Sequence, residues 1–487
     1  MKSIASTLPK FPTDWPEYRF DPENPKHQKL LANIQAGILR DHGREHGLLI
    51  FFSFTPKEEQ RNRAALRAAA DLVTSALDQY RAARRQKQNP RTHVATVALS
   101  FTGFQRCGAT PPSGQDYFEQ GMRNKKVAGE LVDPAKEELD EPFKSLGRSV
   151  DGVWVLACDS VRELRRAASR IKDWAKEFEI SMVGKPQPCG RWRPGKRVGG
   201  EVPAAREPFG FVDGISSPRV FKGDERNHRS INYPIGQILI ADDKKHRGGS
   251  FLVVRKLEQN VRGFRQFEAR MKDALHCAGK DPELAAALLI GRKREGQPLV
   301  RWHHGARDLN DFSFAHDPKS HVCPFDAHIR KVNPRFPSDG RGIDEAEQVA
   351  TQFARRSMVY GVERLTLKGP HWPKGNVGLW FMAYMRDIEN QFKRMQIEWM
   401  KSRILPVQTN NPNVSRYTDI LLYGGRAMGK NPPPAEIEWK WRGASCPGLA
   451  QFVRFKGGEF FFAPSKHWLV GTGNAPSRRR LAGAGDE

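Results

Sequence analysis

A duplicated α+β fold, each half ordered as a ferredoxin-like βαββαβ unit with helices around antiparallel sheets, is the class that this sequence of 487 residues predicts. Three observations carry the prediction. Short apolar runs alternate with longer stretches of helical periodicity, the order strand, helix, strand, strand, helix, strand occurs twice, and a Pro- and Gly-rich stretch separates the two occurrences. The length agrees, since single cores stop growing at about 250–300 residues.

In chain order, "GLLIFFSF" (47–54) is a continuous apolar strand, and the charge-rich stretch from Lys57 to Gln86 that starts after Pro56 is a helix. "HVATVALS" (93–100) and "GVWVLACD" (152–159) are the second and third strands. Val161, Leu164, Ala168, Ile171, Ala175 and Phe178 then recur at helical spacing as one apolar face, and "ISMVGK" (180–185) is a short fourth strand. Residues 1–185 therefore form the first unit, and 186–235 a connecting segment. The second unit, 236–470, repeats the order. It has a strand "SFLVVRKLEQ" (250–259), a helix over 260–279, a strand "MVYGVE" (358–363), a strand "GLWFMAYM" (378–385), a helix burying Ile388, Phe392, Met395 and Trp399, and final strands in "FVRFKGGEFFFAP" (452–464). Residues 471–487 read as a basic, disordered tail. Two such units are expected to pack sheet against sheet, with a ligand cavity between sheet and helices.

Composition narrows the function classes. With 38% hydrophobic and 10% aromatic residues the chain is globular, and no apolar run approaches the roughly 18 residues of a membrane span. The N-terminal "MKSIASTLPKFPTDWPEYRF" carries neither an apolar h-region nor a twin-arginine pair, so a cytoplasmic location is expected. Six dispersed cysteines form no C-x-x-C, which excludes the usual zinc-ribbon, thioredoxin and c-type haem attachment patterns. The formal charge of +25 suits anionic partners, from nucleic acid to sulfonated small molecules, although the basic residues are spread along the chain apart from 81–91 and the tail.

The candidate site residues follow from three stretches. "EPFGFVDGISSP" (207–218) sets Asp213 among apolar neighbours and beside Gly214. An Asp-Gly turn accounts for it; the alternative is a carboxylate in a partly dry pocket that a large ligand approaches across glycine backbone. "HVCPFDAHIRKVNPR" (321–335) holds His328, with Arg330 two positions on. In an extended segment both face one side, so the imidazole can bind a metal while the guanidinium meets an anionic group of the same ligand, a combination that suits haem and its propionates. "FARRSMVYG" (353–361) sets two arginines before an apolar strand, and a structural salt bridge accounts for them; the alternative is that, if a peroxide is cleaved nearby, a fixed cation would stabilise the negative charge on the departing oxygen while Asp213 would move the proton. Fourteen histidines contain no H-E-x-x-H, so a zinc site has little support.

Together these stretches resemble the dye-decolourising peroxidase family. "GFVDG" is similar to its G-x-x-D-G motif, "HIRKVNPR" to its proximal-histidine segment and "ARRSMVYG" to its distal-arginine segment. "GSFLVVRKLEQNV", "GLWFMAYMRDIENQF" and "GGEFFFAPS" resemble further family blocks in the family's order, over residues 30–470. The resemblance implies a dimeric α+β barrel holding one haem b (iron protoporphyrin IX) per chain. It also implies hydrogen peroxide as oxidant and dyes, phenols or other aromatic small molecules as reductants, oxidised one electron at a time. By it, His328 is the axial ligand, Asp213 the distal acid/base and Arg355, after Ala354, the distal arginine. Leu379 and Phe381 line the distal pocket, and Asp419 of "SRYTDILLYG" accepts a hydrogen bond from the axial imidazole. Trp372, Trp380, Tyr384 and Tyr423 stand near these blocks, either as electron relays or as core packing. Ala354, the extra acid Asp326 and the stretch 303–321 depart from the family pattern. Two other readings are a haem carrier or sensor and a basic polyanion-binding protein with secondary peroxidase activity.

Overall fold

The computed structural model describes residues 15–16, 19–84, 93–144, 149–194, 203–216, 218–222, 233–275, 283–300, 309–310, 312–335, 345–366, 369, 371–401, 419, 421 and 437–471. The tail beyond 471, residues 85–91 of the basic stretch and Tyr423 lie outside the described residues. Strands β1 (His46–Ser53), β2 (Val94–Leu99), β3 (Gly152–Cys158), β4 (Ser181–Met182) and β5 (Gln187–Gly190) come from the first part of the chain. The rest supplies β6 (Ser250–Gln259), β7 (Ala354–Arg355), β8 (Met358–Tyr360), β9 (Gly378–Met385), β10 (Ile437–Trp441), β11 (Ala444–Leu449) and β12 (Val453–Ala463).

Ten of these strands form one antiparallel sheet: nine run in the order β3-β2-β12-β6-β9-β8-β5-β1-β4, β7 pairs with β9 off this path, and β1 also pairs with β3, so the sheet closes on itself as an α+β barrel. Opposite walls face each other, as the sequence suggests, but they are also joined edge to edge. Each join is thin: Gly190 against Val359 between β5 and β8, and Phe462 against Leu99 between β12 and β2. The interior is packed with large rings, among them Phe51, Phe143, Trp380 and Phe461. This explains why β1, β2 and β9 read as continuous apolar runs: with helices outside and rings inside, both faces of each strand are covered.

Local departures from the sequence reading have physical causes. The single helix expected over 57–86 is two, Glu59–Leu72 and Ala76–Arg84. Val73 turns extended, and Thr74 donates its N–H to Ala95 O and accepts at its carbonyl from Ala36, so the break is pinned to the sheet edge. The helix Val161–Glu177, whose N-cap Ser160 accepts from the Glu163 amide, buries Leu164, Ala167, Ala168, Ile171, Trp174 and Ala175, while Val161 in its first turn is 43% exposed. The connecting segment begins with β5 rather than with loop. The helix after β9 is a π-helix, Ile388–Met400, which buries Ile388, Phe392, Met395 and Trp399 as expected, together with Gln391, Gln396 and Met400. Trp380 and Tyr384 are buried in the barrel core; Trp372 is partly buried against the cluster beside it.

Candidate active site

A cavity of about 360 Å³ opens between the β6, β9 and β12 wall, the loop around Asp213, and the helices Ile388–Met400 and His328–Val332. Strand alternation builds its wall: Arg255, Leu257 and Gln259 on β6 and Leu379 and Phe381 on β9, each two apart, all face it.

His328 and Asp419, 91 residues apart, meet on one side. The His328 Nδ1–H donates to Asp419 Oδ2 at 2.8 Å, while Asp419 Oδ1 accepts the Leu421 amide at 3.0 Å and the Asp419 amide donates to Met400 O. The aspartate side chain is fully buried and the histidine is 31% exposed, so Nε2 is the ring nitrogen left to the cavity that His328 lines. Asp326, two residues before it, is buried with neither carboxylate oxygen hydrogen-bonded among the described residues. Burial pushes its carboxyl up to about 7, with Asp419 adding to the rise and Lys331 opposing it. Lys331 is brought down to about 8 by the same burial.

In the lining of the same cavity the Arg355 Nη2–H donates to Asp213 Oδ1 at 2.6 Å, and the Gly214 amide donates to the same oxygen at 2.7 Å. Gly214 has φ +82°, the left-handed conformation that the turn reading of Asp-Gly requires, so the residue makes the turn and faces the cavity at once. Arg355 and Arg356 point opposite ways from the sheet, as strand neighbours do. Arg356 is buried and donates to the carbonyls of Gly37, Ile38 and Arg355; Arg355 lines the cavity.

The expectation for Arg330 is corrected. Residues His328–Val332 are helical, not extended, so positions 328 and 330 do not share a side. Arg330 is buried away from the cavity lining, donating to Asp317 Oδ2 at 2.9 Å and to the Asp317 and Cys323 carbonyls, with Phe314 and Phe325 on its faces. The cations that line the cavity besides Arg355 are Arg255, Arg292, Lys293 and Arg335, of which Arg292 and Arg335 lie over the Phe312 ring and also donate to Gly296 O and Leu309 O and to Asn310 respectively. Arg335 closes the "HIRKVNPR" segment, so its signal stood in the stretch that singled out His328. Glu207 and Gln259 were also not foreseen. Burial pushes the Glu207 carboxyl above its ordinary range, against the pull of its hydrogen bonds from Phe211, Gln259 and Phe209.

Residues 33–194 match the family described as the DyP dimeric alpha+beta barrel domain, and residues 204–418 the family described as Dyp-type peroxidase, C-terminal. The chain is 30% identical over 471 residues to the multifunctional dye peroxidase DyP2 of Amycolatopsis sp., covering 90% of this chain and 95% of that one. The solved structure of that protein superposes with a TM-score of 0.78 at 26% identity, over 93% of this chain and 99% of that one. A DyP-type peroxidase of Anabaena sp. superposes with a TM-score of 0.75 at 27% identity, over 96% and 99%. Likeness that runs the length of both partners, in sequence and in fold, makes this chain a member of the dye-decolourising (DyP-type) peroxidase family and an enzyme of that class.

Proposed function

We propose that the chain uses hydrogen peroxide to oxidise dyes, phenols or other aromatic small molecules in one-electron steps, on one haem b held in the cavity. The observation that carries this reading is that one cavity is lined by two carboxylate-anchored groups, His328 with Asp419 and Arg355 with Asp213. The donor set fits haem. It offers one imidazole with its second nitrogen engaged, an apolar seat lined by Leu379 and Phe381, and lining arginines for the ring's carboxylates, Arg335 and Arg292. Among the described residues no cluster of three or more His, Cys, Asp or Glu forms a rival metal site. Haem bound there supplies an iron centre that reacts with peroxide and is reduced again by the substrate.

The protein's own residues do the rest. Asp213 Oδ1 is occupied by Arg355 and Gly214, which leaves Oδ2 as the oxygen that would accept a proton from peroxide and hand it back. Arg355 offsets the negative charge on the departing oxygen. Asp419 keeps His328 in the Nδ1–H tautomer and makes it a stronger electron donor. A haem carrier or sensor needs neither Asp213 nor Arg355. Bulky dyes are expected to react outside the pocket that Leu379 and Phe381 narrow. The test is a visible spectrum of the purified holoprotein before and after one equivalent of peroxide. A haem band that shifts with peroxide and returns when dye is added is expected; a band indifferent to peroxide overturns the reading.

A further inference from the structure

We propose that Glu207 is the positioning residue for Asp213: its carboxylate pins the hairpin that carries the proton shuttle into the cavity. The inference rests on the reading of Asp213 as the group that moves the peroxide proton. Residues 205–213 form a tight hairpin, with the Asp213 amide donating to Ala205 O at 2.9 Å and the Glu207 amide to Phe211 O at 2.9 Å. Its tip turns at Gly210, whose φ is +98° and whose amide donates to Glu207 O at 2.8 Å. That geometry directs the amides of Phe209 and Phe211 into the hairpin, beneath side chains that are 0% and 5% exposed. Among the described residues no backbone carbonyl takes them. The Glu207 carboxylate does, Oε2 accepting from Phe209 at 3.0 Å and Oε1 from Phe211 at 2.9 Å. A third donor, Gln259 Nε2 on β6, reaches Oε2 at 2.9 Å and ties the hairpin to the rigid barrel wall.

The chain of consequence is short. Buried amides without an acceptor cost roughly 1–3 kcal/mol each, so the hairpin keeps this shape only while an acceptor sits inside it. Asp213 follows Phe211 by two residues, so the Phe211 amide sets where Oδ2 meets the peroxide. Glu207 lines the same cavity, and the charged groups that face it are Asp213 on its own loop and Arg265 on the helix Val261–Ala274. Arg265 also donates to Phe209 O at 2.8 Å, so the tip is held from both sides. Gln in place of Glu keeps one acceptor oxygen and loses the other; Ala loses both.

The experiment is a double-mutant cycle on the holoenzyme, reading the second-order rate with hydrogen peroxide per bound haem by stopped-flow. Glu207→Gln is expected to slow it roughly tenfold with the haem band and haem content unchanged, and Glu207→Ala more. In the Asp213→Asn background the same Glu207→Gln change is expected to cost less than about twofold, because its effect runs through Asp213. The KM for dye should stay as in the wild type in all variants. A wild-type rate in Glu207→Gln, or an equal loss in both backgrounds, overturns the proposal. Should Glu207→Ala fail to fold, the Gln cycle alone decides. If Asp213→Asn itself reacts at the wild-type rate, what fails is the reading of Asp213, and the cycle shows that separately.

Discussion

His328 and His246 each share Nδ1 with an aspartate, and the two pairs bury opposite partners. In the first the aspartate is fully buried, the imidazole is 31% exposed and the contact is 2.8 Å. In the second the imidazole is 2% exposed, Asp243 is 39% exposed and the contact is 2.5 Å. His246 Nε2 is also engaged, 3.0 Å from Thr110 O, and its ring packs edge-on to Phe462. The same pair of side chains is therefore a staple at one place and a candidate ligand at the other. What differs is the second nitrogen: a carbonyl occupies it in His246, and a cavity faces it in His328.

The sharpest way to break this contrast is to remove each ring. His328→Ala is expected to lose haem, with the haem-to-protein ratio from visible absorbance falling roughly tenfold or more, since among the described residues no other that lines the cavity offers an imidazole. Retention of a full, unshifted haem band in that variant removes His328 from the site. Arg355→Leu is expected to bind haem normally and lose on the order of 2–4 kcal/mol of transition-state stabilisation with peroxide, measured by stopped-flow. Asp213→Asn should retain haem as well and lose roughly 10²–10⁴-fold in the same step. Arg356→Leu is the control, because its guanidinium holds three backbone carbonyls and not the cavity. A collapsed peroxide rate there, with an intact one in Arg355→Leu, exchanges the two roles.

Asp419→Asn keeps an acceptor for the Nδ1–H and removes the charge. Activity or metal affinity is expected to fall roughly 10–100-fold, with the reduction potential of the bound haem moving up in a spectroelectrochemical titration. A third histidine extends the contrast to a ring whose Nδ1 accepts the Arg44 amide at 3.0 Å, with Asp41 Oδ1 3.9 Å away. Burial lowers His42 to about 4 from 6.5; Asp41 opposes the drop, and Arg191 and Arg356 deepen it. Its folded pKa lies below the unfolded one, so the stability it contributes is present above pH 6.5 and is lost as pH falls toward about 4. The loss is at most about 3 kcal/mol. Chemical denaturation between pH 7 and pH 4 should show it, and His42→Gln should flatten that slope. The smallest effect belongs to the staple: His246→Gln is expected to cost about 1–2 kcal/mol of stability in thermal melts while haem content and peroxide rate stay unchanged.

Much of the molecule can be read before it is folded, and the misreadings have a pattern. Runs such as 93–100 and 378–385 are legible because burial on both faces leaves an uninterrupted apolar signature. The break at Val73 is not, because nothing local forbids the helix from continuing; the competing bonds come from Ala36 in the turn before β1 and from Ala95 on β2. Arg330 was misassigned for a related reason. The choice between extended and helical at 328–332 decides which way a side chain two residues on points, and five residues are too few for periodicity to settle it.

By itself the sequence determined which residue types stand ready: one histidine in an apolar, arginine-bearing segment, one carboxylate at a glycine turn, two adjacent arginines before a strand, and the repeated order of elements around them. Only the tertiary structure decided which of them meet. It turned Arg355 and not Arg356 into the cavity and joined it to an aspartate 142 residues away. It brought Asp419 under His328, closed two runs of strands into one barrel through single residue pairs, and put Glu207 inside the hairpin that carries Asp213. The physical reason is range. Periodicity, caps and turns are encoded by neighbours a few positions apart, whereas closure of a sheet and convergence on a cavity depend on contacts between distant segments that no local pattern contains.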